Sequence, residues 1–401
     1  MNHRPTLLCV GAGPEQLFSI ETAQKMGYNV VALDENPSAP GFRAANQSYT
    51  IDLRNTEEVI GLARANNVVG TVPVPIGSLL TVQASVHDAL RLKGISSLSA
   101  ERCVNKLTFR SIVRDVPNTV DTNQIYYPST QDAIVSMLHM EATDLRIVKP
   151  VNGSGSRGVF SFRNRQQLEE GLSLYDSSVY GDGLLVEDVV VGEPFGVDGA
   201  IVHGELQVTL LRSKKLTPPP FFVETTYLSP ARTGDQVEAT VYSVLADVAR
   251  RIGLDNCVLH ADLIVTPSGK ICVVELSGRP SGLQLASRLV PLSTGVKFIT
   301  EAIRLHVSGQ GEFRPIYRRP TILHYWGKVS SALQEAQAKE LLSSVPGVID
   351  NKIAVNDQDA GVIDVRSNLP GGYIIIQKDS YEEAEKSLAV AIDRMKNAGF
   401  I

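Results

Sequence analysis

The stretch from Cys257 to Gly282 constrains the fold of this chain more than any other. Its sequence, CVLHADLIVTPSGKICVVELSGRPSG, predicts two strands, Val258 to Val265 and Lys270 to Leu276. The four residues Thr266-Pro267-Ser268-Gly269 between them have the composition of a tight turn. We therefore expect an antiparallel hairpin here.

Each predicted strand carries one acid among apolar residues, Asp262 in the first and Glu275 in the second. Burying an unpaired carboxylate is costly, and two carboxylates that face each other repel unless a cation lies between them. Ser277 and Arg279 follow at once, a small oxygen donor and a fixed positive charge. The stretch predicts a magnesium site beside an arginine, and the alternative is an ordinary hairpin with solvent-facing acids.

The overall composition is that of a globular protein with several domains. The chain has 401 residues, of which 43% are hydrophobic and 20% charged. A net charge of -5 without a basic block argues against a nucleic-acid-binding surface. No apolar run reaches membrane-spanning length, and the N-terminus does not resemble a signal peptide. Because its four cysteines show no metal or disulfide spacing, we expect buried thiols and a cytoplasmic location.

The N-terminal segment predicts a βαβ unit and hence a parallel sheet. Strands at Thr6 to Val10 and Asn29 to Leu33 enclose a helix at Glu15 to Met26. The turn Gly11-Ala12-Gly13 half-matches a dinucleotide-binding fingerprint, but Gln16 occupies the position of its third glycine. Both a structural turn and a nicotinamide-binding site stay open on this evidence.

A second cluster of charge and glycine lies upstream of the hairpin. Ala100 to Val116 predicts a helix that carries Lys106 and Arg110 on one face. A strand from Leu145 to Val148 then runs into Lys149 and a glycine/serine loop, which offers backbone N–H groups suited to phosphate. A plain hairpin loop is the alternative.

The remaining chain predicts strands and helices in alternation. Strands at Gly183 to Val191, Phe195 to Val202 and Glu205 to Leu211 are expected to form an antiparallel meander that leads to Arg212-Ser213-Lys214-Lys215 and a loop with Pro218-Pro219-Pro220. Asp235 to Ile252 is a strongly amphipathic helix. Near the C-terminus we expect a hairpin of Gly361 to Val365 with Tyr373 to Gln377, and then a helix capped by Ser380.

In combination, the motifs VKPVNGSGSRG, VEDVVVGEPFGVDG and ADLIVTPSGKICVVELSGRPSG resemble those of the ATP-grasp superfamily of carboxylate–amine ligases, in its L-amino acid ligase branch. The resemblance covers nearly the whole chain and implies an α/β and α+β fold. It implies an N-terminal βαβ domain at 1–99, an ATP-grasp domain at 100–310 and a small α+β domain at 311–401. The small lobe of the ATP-grasp domain is expected at about 100–182 and the large lobe at about 183–310.

The resemblance also implies roles for individual residues, in an enzyme that uses ATP. Lys106 and Lys149 look like the pair that holds the α- and β-phosphates. The lid over the triphosphate looks like Gly153, Ser154, Gly155, Ser156, Arg157 and Gly158. Glu187 looks like the acceptor for the adenine amino group, Asp188, Val189 and Val190 like the backbone that reads the ring edge, and Glu193 like the ribose partner.

Asp262, Glu275 and Ser277 look like ligands of one or two Mg²⁺ ions, with Mn²⁺ as an alternative metal. Arg279 looks like the cation that steadies the transferred phosphoryl group, and Lys214 like a contact for the γ-phosphate or the substrate carboxylate. The family usually has glutamate where Asp262 stands and asparagine where Ser277 stands. A shorter acid and a hydroxyl can still ligate magnesium, because water readily fills its other positions.

The implied activity joins a small carboxylic or amino acid to an amine through an acyl phosphate, with release of ADP and phosphate. Small-molecule substrates are expected, with neither nucleic acid nor membrane as partner, and a homodimer is considered because dimerisation is common in similar proteins. Two alternatives stay open: a nicotinamide-dependent oxidoreductase built on the Gly11 turn, and a non-catalytic nucleotide-binding module.

Overall fold

The computed structural model describes residues 4–74, 76–136, 144–153, 155–326, 332–353 and 371–400, and the strands of these residues form three sheets. Two of the sheets are four-stranded and one is eight-stranded. The combination of a parallel sheet with antiparallel sheets and helices confirms the predicted mixed α/β and α+β fold. Within the described residues, no helix is both long enough and apolar enough to span a membrane.

The N-terminal sheet is parallel, in the order β3-β2-β1-β4. Its strands are β1 (Thr6–Val10), β2 (Asn29–Asp34), β3 (Gln47–Thr50) and β4 (Val68–Thr71). The helices of this part are α1 (Pro14–Lys25), α2 (Thr56–Ala65) and α3 (Leu80–Leu90), with 3-10 turns at Pro40–Arg43 and Gly77–Leu79. The predicted βαβ unit is therefore present, since parallel neighbours need a helical crossover.

The helix predicted from Ala100 to Val116 is instead two helices, α4 (Ser97–Val104) and α5 (Lys106–Val113). Asn105 between them has an extended backbone, and its side-chain oxygen accepts a hydrogen bond of 3.0 Å from the Thr108 amide. An asparagine in this role caps the N-terminus of the next helix. The break makes Lys106 the first residue of α5.

The second four-stranded sheet is antiparallel, in the order β5-β8-β6-β7. Its strands are β5 (Ile125–Tyr127), β6 (Arg146–Pro150), β7 (Phe160–Phe162) and β8 (Leu184–Asp188). The associated helices are α6 (Thr130–Ser136) and α7 (Arg165–Ser173), with a 3-10 turn at Ser177–Tyr180. The expected meander is wrong at its first strand, because β8 pairs with β5 and β6 and the chain then crosses to another sheet.

The third sheet is antiparallel, in the order β13-β12-β9-β10-β11-β14-β16-β15. Its first five strands in the chain are β9 (Glu193–Val202), β10 (Glu205–Leu216), β11 (Glu224–Ser229), β12 (Cys257–Val265) and β13 (Ile271–Ser277). The last three are β14 (Thr321–Trp326), β15 (Val348–Ile353) and β16 (Gly372–Gln377). The expected end of the strand at Leu211 is wrong, since β10 continues to Leu216 and pairs with β11.

Five further helices surround this sheet in the described residues. They are α8 (Asp235–Ile252), α9 (Val290–Thr294), α10 (Phe298–Ser308), α11 (Ala332–Ser343) and α12 (Tyr381–Asn397), with a π-helical turn at Leu285–Leu289 before α9. The predicted amphipathic face of α8 is buried, including Val241, Val244, Val248 and Ile252. Each such side chain contributes about 1.5–3 kcal/mol when it leaves water. This face packs into the same core as the inner residues of β12 and β13.

The predicted C-terminal domain continues the large sheet, because β14 pairs with β11. Ser380 caps α12 as expected, and its hydroxyl accepts a hydrogen bond of 3.2 Å from the Glu383 amide. The second strand of the predicted hairpin corresponds to β16, whereas Gly361 to Val365 lies outside the described residues. The domain boundaries near 99 and 310 stay predictions.

Candidate active site

The acid-bearing hairpin forms as predicted, and it places its two carboxylates opposite each other. Asp262 on β12 is the cross-strand partner of Glu275 on β13. The register shifts next to this pair: Leu263 pairs with Val273, so Val274 is an extra residue on β13. Such a bulge breaks the alternation of a strand. Consecutive side chains, Val274 and Glu275, therefore line the same cavity.

This cavity, of about 810 Å³, lies between the antiparallel four-stranded sheet and the large sheet. One wall comes from β6 and β8, and the opposite wall from β10 to β13. It brings together most of the residues that were expected to share a site. They are Lys106, Lys149, Gly153, Gly155, Ser156, Arg157, Glu187, Asp188, Val189, Val190, Lys214, Asp262 and Glu275.

Cations compensate both carboxylates of the hairpin. Lys214 Nζ lies 2.5 Å from Asp262 Oδ1 and 3.1 Å from the Glu224 carboxylate. Arg279 Nη2 lies 2.9 Å from Glu275 Oε1, and His260 Nε2 lies 3.5 Å from the same oxygen. Asp262 and Glu275 keep 26% and 34% of their side-chain surface exposed, so each stays accessible from the cavity.

These contacts keep both acids ionised. Burial raises the pKa of each carboxyl, but the neighbouring cations outweigh burial and hold both pKa values below their usual range. For Asp262 the dominant cation is Lys214, and for Glu275 the main contributions are the His260 hydrogen bond and the Arg279 charge. Two ionised carboxylates on facing strands suit a hard divalent cation that takes its other ligands from phosphate and water.

Ser277, the third expected ligand, fits this metal site less well. It is buried, it pairs with His260 across the hairpin, and it does not line the cavity. Among the described residues, no group of three histidine, cysteine, aspartate or glutamate side chains could hold a metal. Of the three expected ligands, Asp262 and Glu275 are therefore the two that could meet a cation in the cavity.

The two expected phosphate lysines line the same cavity, on the side of β6 and the glycine/serine loop (the phosphate end), whereas the hairpin forms the carboxylate end. Lys106, at the start of α5, donates a hydrogen bond of 3.3 Å to the Gly153 carbonyl, which ties it to the glycine/serine loop. Burial lowers the pKa of Lys106 to about 8; Glu275 opposes this effect, and the Lys149 and Arg110 charges add to it. Lys149, near the end of β6, lies with its Nζ 2.6 Å from Glu187 Oε2.

Most of the glycine/serine loop borders the cavity, at Gly153, Gly155, Ser156 and Arg157. Gly158 instead packs against the body of the protein: it has a φ of +76°, and an added Cβ would lie 2.6 Å from Val179 Cγ1. Larger residues are therefore excluded at this end of the loop. Ser154 lies outside the described residues.

Glu187 is not an open acceptor. Its side chain is 1% exposed, and Arg110 Nε and Lys149 Nζ lie 2.5 and 2.6 Å from its two oxygens. Burial raises the pKa of Glu187, but these two cations outweigh burial and hold it far below the usual range. Glu187 therefore serves in this structure as the shared counter-ion of Arg110 and Lys149.

The strip after Glu187 borders the cavity as expected, at Asp188, Val189 and Val190. The Asp188 amide donates to the Thr122 carbonyl and the Val189 amide to the Leu145 carbonyl. Those two amides therefore join protein elements and are not directed at a ligand. Glu193 is exposed and does not line the cavity, although its neighbours Gly192 and Pro194 do.

Three polar residues near the site were not expected from the sequence. Arg110 was noticed only as a neighbour of Lys106, and it binds Glu187. His260 lies two residues before Asp262, so strand alternation could have placed it on the same face. Glu224 follows a proline-rich loop and carries no local signal.

Comparison with known proteins identifies the domain that contains this site. Residues 145–287 match the family described as the ATP-grasp domain. This span includes Lys149, the glycine/serine loop, Lys214 and the acid hairpin. The expected membership of the ATP-grasp superfamily is confirmed for this part of the chain, which forms an ATP-grasp domain.

Curated relatives are distant. The chain is 24% identical over 350 residues to an uncharacterised protein, y4rH, of Sinorhizobium fredii (strain NBRC 101917 / NGR234), across 84% of this chain and 70% of that protein. It is 23% identical over 222 residues to a formate-dependent phosphoribosylglycinamide formyltransferase of Prochlorococcus marinus (strain MIT 9313), across 55% of this chain and 53% of that one. The chain thus spans about half the length of this formyltransferase relative.

Solved structures of other proteins share the fold over nearly the whole chain. An L-amino acid ligase from Bacillus licheniformis matches with a TM-score of 0.78 and 20% identity over 98% of both chains. The biotin carboxylase domain of the Hydrogenobacter thermophilus 2-oxoglutarate carboxylase, solved as a dimer with MgADP, ADP and bicarbonate, has a TM-score of 0.69 and 15% identity over 99% of this chain and 90% of that one.

Proposed function

We propose that this chain is an ATP-dependent carboxylate–amine ligase that forms an amide or peptide bond through an acyl phosphate. The observation that carries the proposal is the cavity between the two antiparallel sheets. It has two lysines and a glycine-rich loop at one end and a pair of ionised carboxylates at the other. This arrangement suits a nucleoside triphosphate with its metal.

The nucleotide is proposed to lie along the cavity. The ring faces the Asp188-Val189-Val190 strip and the apolar side chains of Ile147 and Leu216, all of which line the wall. Glu193, at the rim, is proposed as the ribose partner. Lys106 and Lys149 hold the phosphates, and the loop from Gly153 to Gly158 covers them and excludes water.

Asp262 and Glu275 are proposed to hold Mg²⁺, or Mn²⁺ in its place, and Ser277 is retained only as a weaker candidate. When bound, the ion would neutralise charge on the phosphate oxygens. Arg279, which forms an ion pair with Glu275, is proposed to stabilise the charge on the transferred phosphoryl group. Lys214, which forms an ion pair with Asp262, is proposed to contact the γ-phosphate or the substrate carboxylate.

The chemistry needs these charges because two anions must meet. An oxygen of the substrate carboxylate attacks the γ-phosphorus, the bond to the β-phosphate oxygen breaks, and ADP leaves. The amine nitrogen then attacks the acyl carbon, the carbon–oxygen bond to phosphate breaks, and the nitrogen loses a proton. A small carboxylic or amino acid and an amine are the proposed substrates, because the solved structures of similar fold include an L-amino acid ligase.

The nicotinamide alternative loses support from the N-terminal turn. Gln16 is fully buried, and an added Cβ on Gly11 or Gly13 would lie within 3.2 Å of its amide group. Asp34, the acid that would bind a ribose, instead accepts a hydrogen bond of 2.6 Å from the Ala12 amide. The Gln16 side chain therefore fills the space beside the glycines, and Asp34 holds the backbone of the turn.

A phosphate-release screen tests the proposal. Purified protein, ATP and Mg²⁺ are combined with a matrix of amino acids and amines, and ADP, phosphate and the condensed product are measured together. Equal amounts of ADP and product are expected for one acid–amine pair. ATP binding without turnover on any pair would favour the non-catalytic nucleotide-binding module, and tight NAD binding without ATP binding would favour the oxidoreductase. Light scattering would test the proposed homodimer, for which the dimeric biotin carboxylase domain is a precedent of fold.

A further inference from the structure

Arg110 joins three elements, α5, β8 and β13, each of which contributes residues to the cavity lining. It projects from α5, its Nε lies 2.5 Å from Glu187 Oε1 on β8, and its Nη1 donates a hydrogen bond of 2.7 Å to the Val273 carbonyl on β13. The side chain is 6% exposed and does not line the cavity. Arg110 therefore touches both sheets without contacting the space proposed for the nucleotide.

The first of these contacts acts on Lys149. Glu187 accepts from Arg110 on both oxygens, at 2.5 Å on Oε1 and 3.3 Å on Oε2, and from Lys149 at 2.6 Å on Oε2, so the two cations share one negative charge. A lysine ammonium has three donors, and only one of them is needed for Glu187. With Arg110 carrying part of the Glu187 charge, Lys149 keeps its orientation and a net positive charge toward the cavity.

The second contact acts on Glu275. Val273, whose carbonyl Arg110 binds, is directly followed by the bulge residue Val274 and then by Glu275. The bulge turns Glu275 toward the cavity, and bulges need local support because they interrupt the ladder of hydrogen bonds. The planar guanidinium can hold Glu187 and this carbonyl at once, which an ammonium group cannot match geometrically.

We propose that Arg110 is a positioning residue of the ATP site, which sets the orientation of Lys149 through Glu187 and of Glu275 through the Val273 carbonyl. It links the phosphate end of the cavity to the carboxylate end. The proposal rests on the proposed function, since it assumes that Lys149 meets phosphate.

The test uses the full chain and measures binding of a non-hydrolysable ATP analogue with Mg²⁺ by calorimetry. Arg110→Lys keeps the charge and loses the fork, and about tenfold weaker binding is expected. Arg114→Lys is the matched control, because Arg114 follows one turn later and is exposed; it should bind like the parent. Urea unfolding of each variant shows whether the fold is retained.

A double-mutant cycle separates positioning from a general loss of structure. If Arg110 acts through Lys149, then adding Arg110→Lys to Lys149→Met should weaken binding further by less than about threefold. Full additivity, or parental binding by Arg110→Lys, would overturn the proposal. So would unfolding of Arg110→Lys, because Arg110 would then serve the fold and not the site. If the parent itself fails to bind the analogue, the proposed function falls as well, which distinguishes the two failures.

Discussion

The two ends of the cavity use the same kinds of side chain in different environments. At the phosphate end, Glu187 is 1% exposed and bound on both oxygens by Arg110 and Lys149. At the carboxylate end, Asp262 and Glu275 are also paired with cations, yet 26% and 34% of their side-chain surface stays exposed. A buried carboxylate in a closed network organises its neighbours, whereas a half-exposed one can still gain a ligand. The difference separates scaffold from proposed metal site.

The largest expected effect on activity is that of a substitution at the carboxylate end. Glu275→Gln keeps the size of the side chain and removes the charge that would offset a metal, so turnover should fall by about a thousandfold. The fold should be retained, because the position is partly open to solvent. Phosphate release on an active acid–amine pair and urea unfolding are measured side by side. Turnover within a few-fold of the parent would show that Glu275 is not the metal ligand.

At the phosphate end, a substitution of Glu187 should instead lower the stability of the protein. Glu187→Gln leaves Arg110 and Lys149 buried without their shared counter-ion, which should cost about 3–5 kcal/mol of unfolding free energy. Urea unfolding measures this loss, with Glu193→Gln as the control because Glu193 is exposed on the rim. If Glu187→Gln and Glu275→Gln destabilised the protein equally, the distinction between the two ends would be wrong.

A smaller effect is expected at Arg279. Arg279→Lys keeps the charge beside Glu275 but loses the planar fork, so ATP should bind almost as in the parent while turnover falls by about a hundredfold. Such a split indicates stabilisation that is felt chiefly in the transition state. ATP affinity and phosphate release are compared on the same preparation. Parental turnover by this variant would remove Arg279 from the proposed mechanism.

The two ends also differ in how far the sequence predicts them. The hairpin at Asp262 and Glu275 is a local feature, since a turn and two apolar strands lie within one short stretch, and its pairing agrees with the expectation. The network at Glu187 joins residues that are 77 and 38 positions apart. No pattern in a single sequence specifies which of its many arginines will meet that carboxylate.

Two errors in the predicted fold have similar physical causes. The break between α4 and α5 depends on a single capping residue, Asn105, inside a stretch whose other residues favour a continuous helix. The assignment of β8 to a meander failed because the Gly192-Glu193-Pro194 turn looks the same whether the chain stays in a sheet or leaves it. Local chemistry predicts a turn, and only tertiary packing decides which strands it connects.

The smallest predicted effect concerns pH and tests Lys106, which belongs to the phosphate end and also interacts with the Glu275 charge. Burial lowers the pKa of its ammonium group to about 8 in the free protein. Below this pH Lys106 is charged, and above it the charge is lost. Binding of anionic ATP favours the charged form, so the affinity for ATP should be constant below about pH 7 and fall above pH 8, by at most tenfold per pH unit.

Calorimetry with the non-hydrolysable analogue from pH 6.5 to pH 9.5 would measure this fall. Lys106→Arg is the informative variant, because a guanidinium stays protonated throughout this range, and its profile should be flat. Lys93 lies on a loop and is not part of the cavity lining, so Lys93→Arg should retain the parental profile. A flat profile for the parent would mean that Lys106 does not meet the phosphates, and the phosphate end would then rest on Lys149 and its network alone.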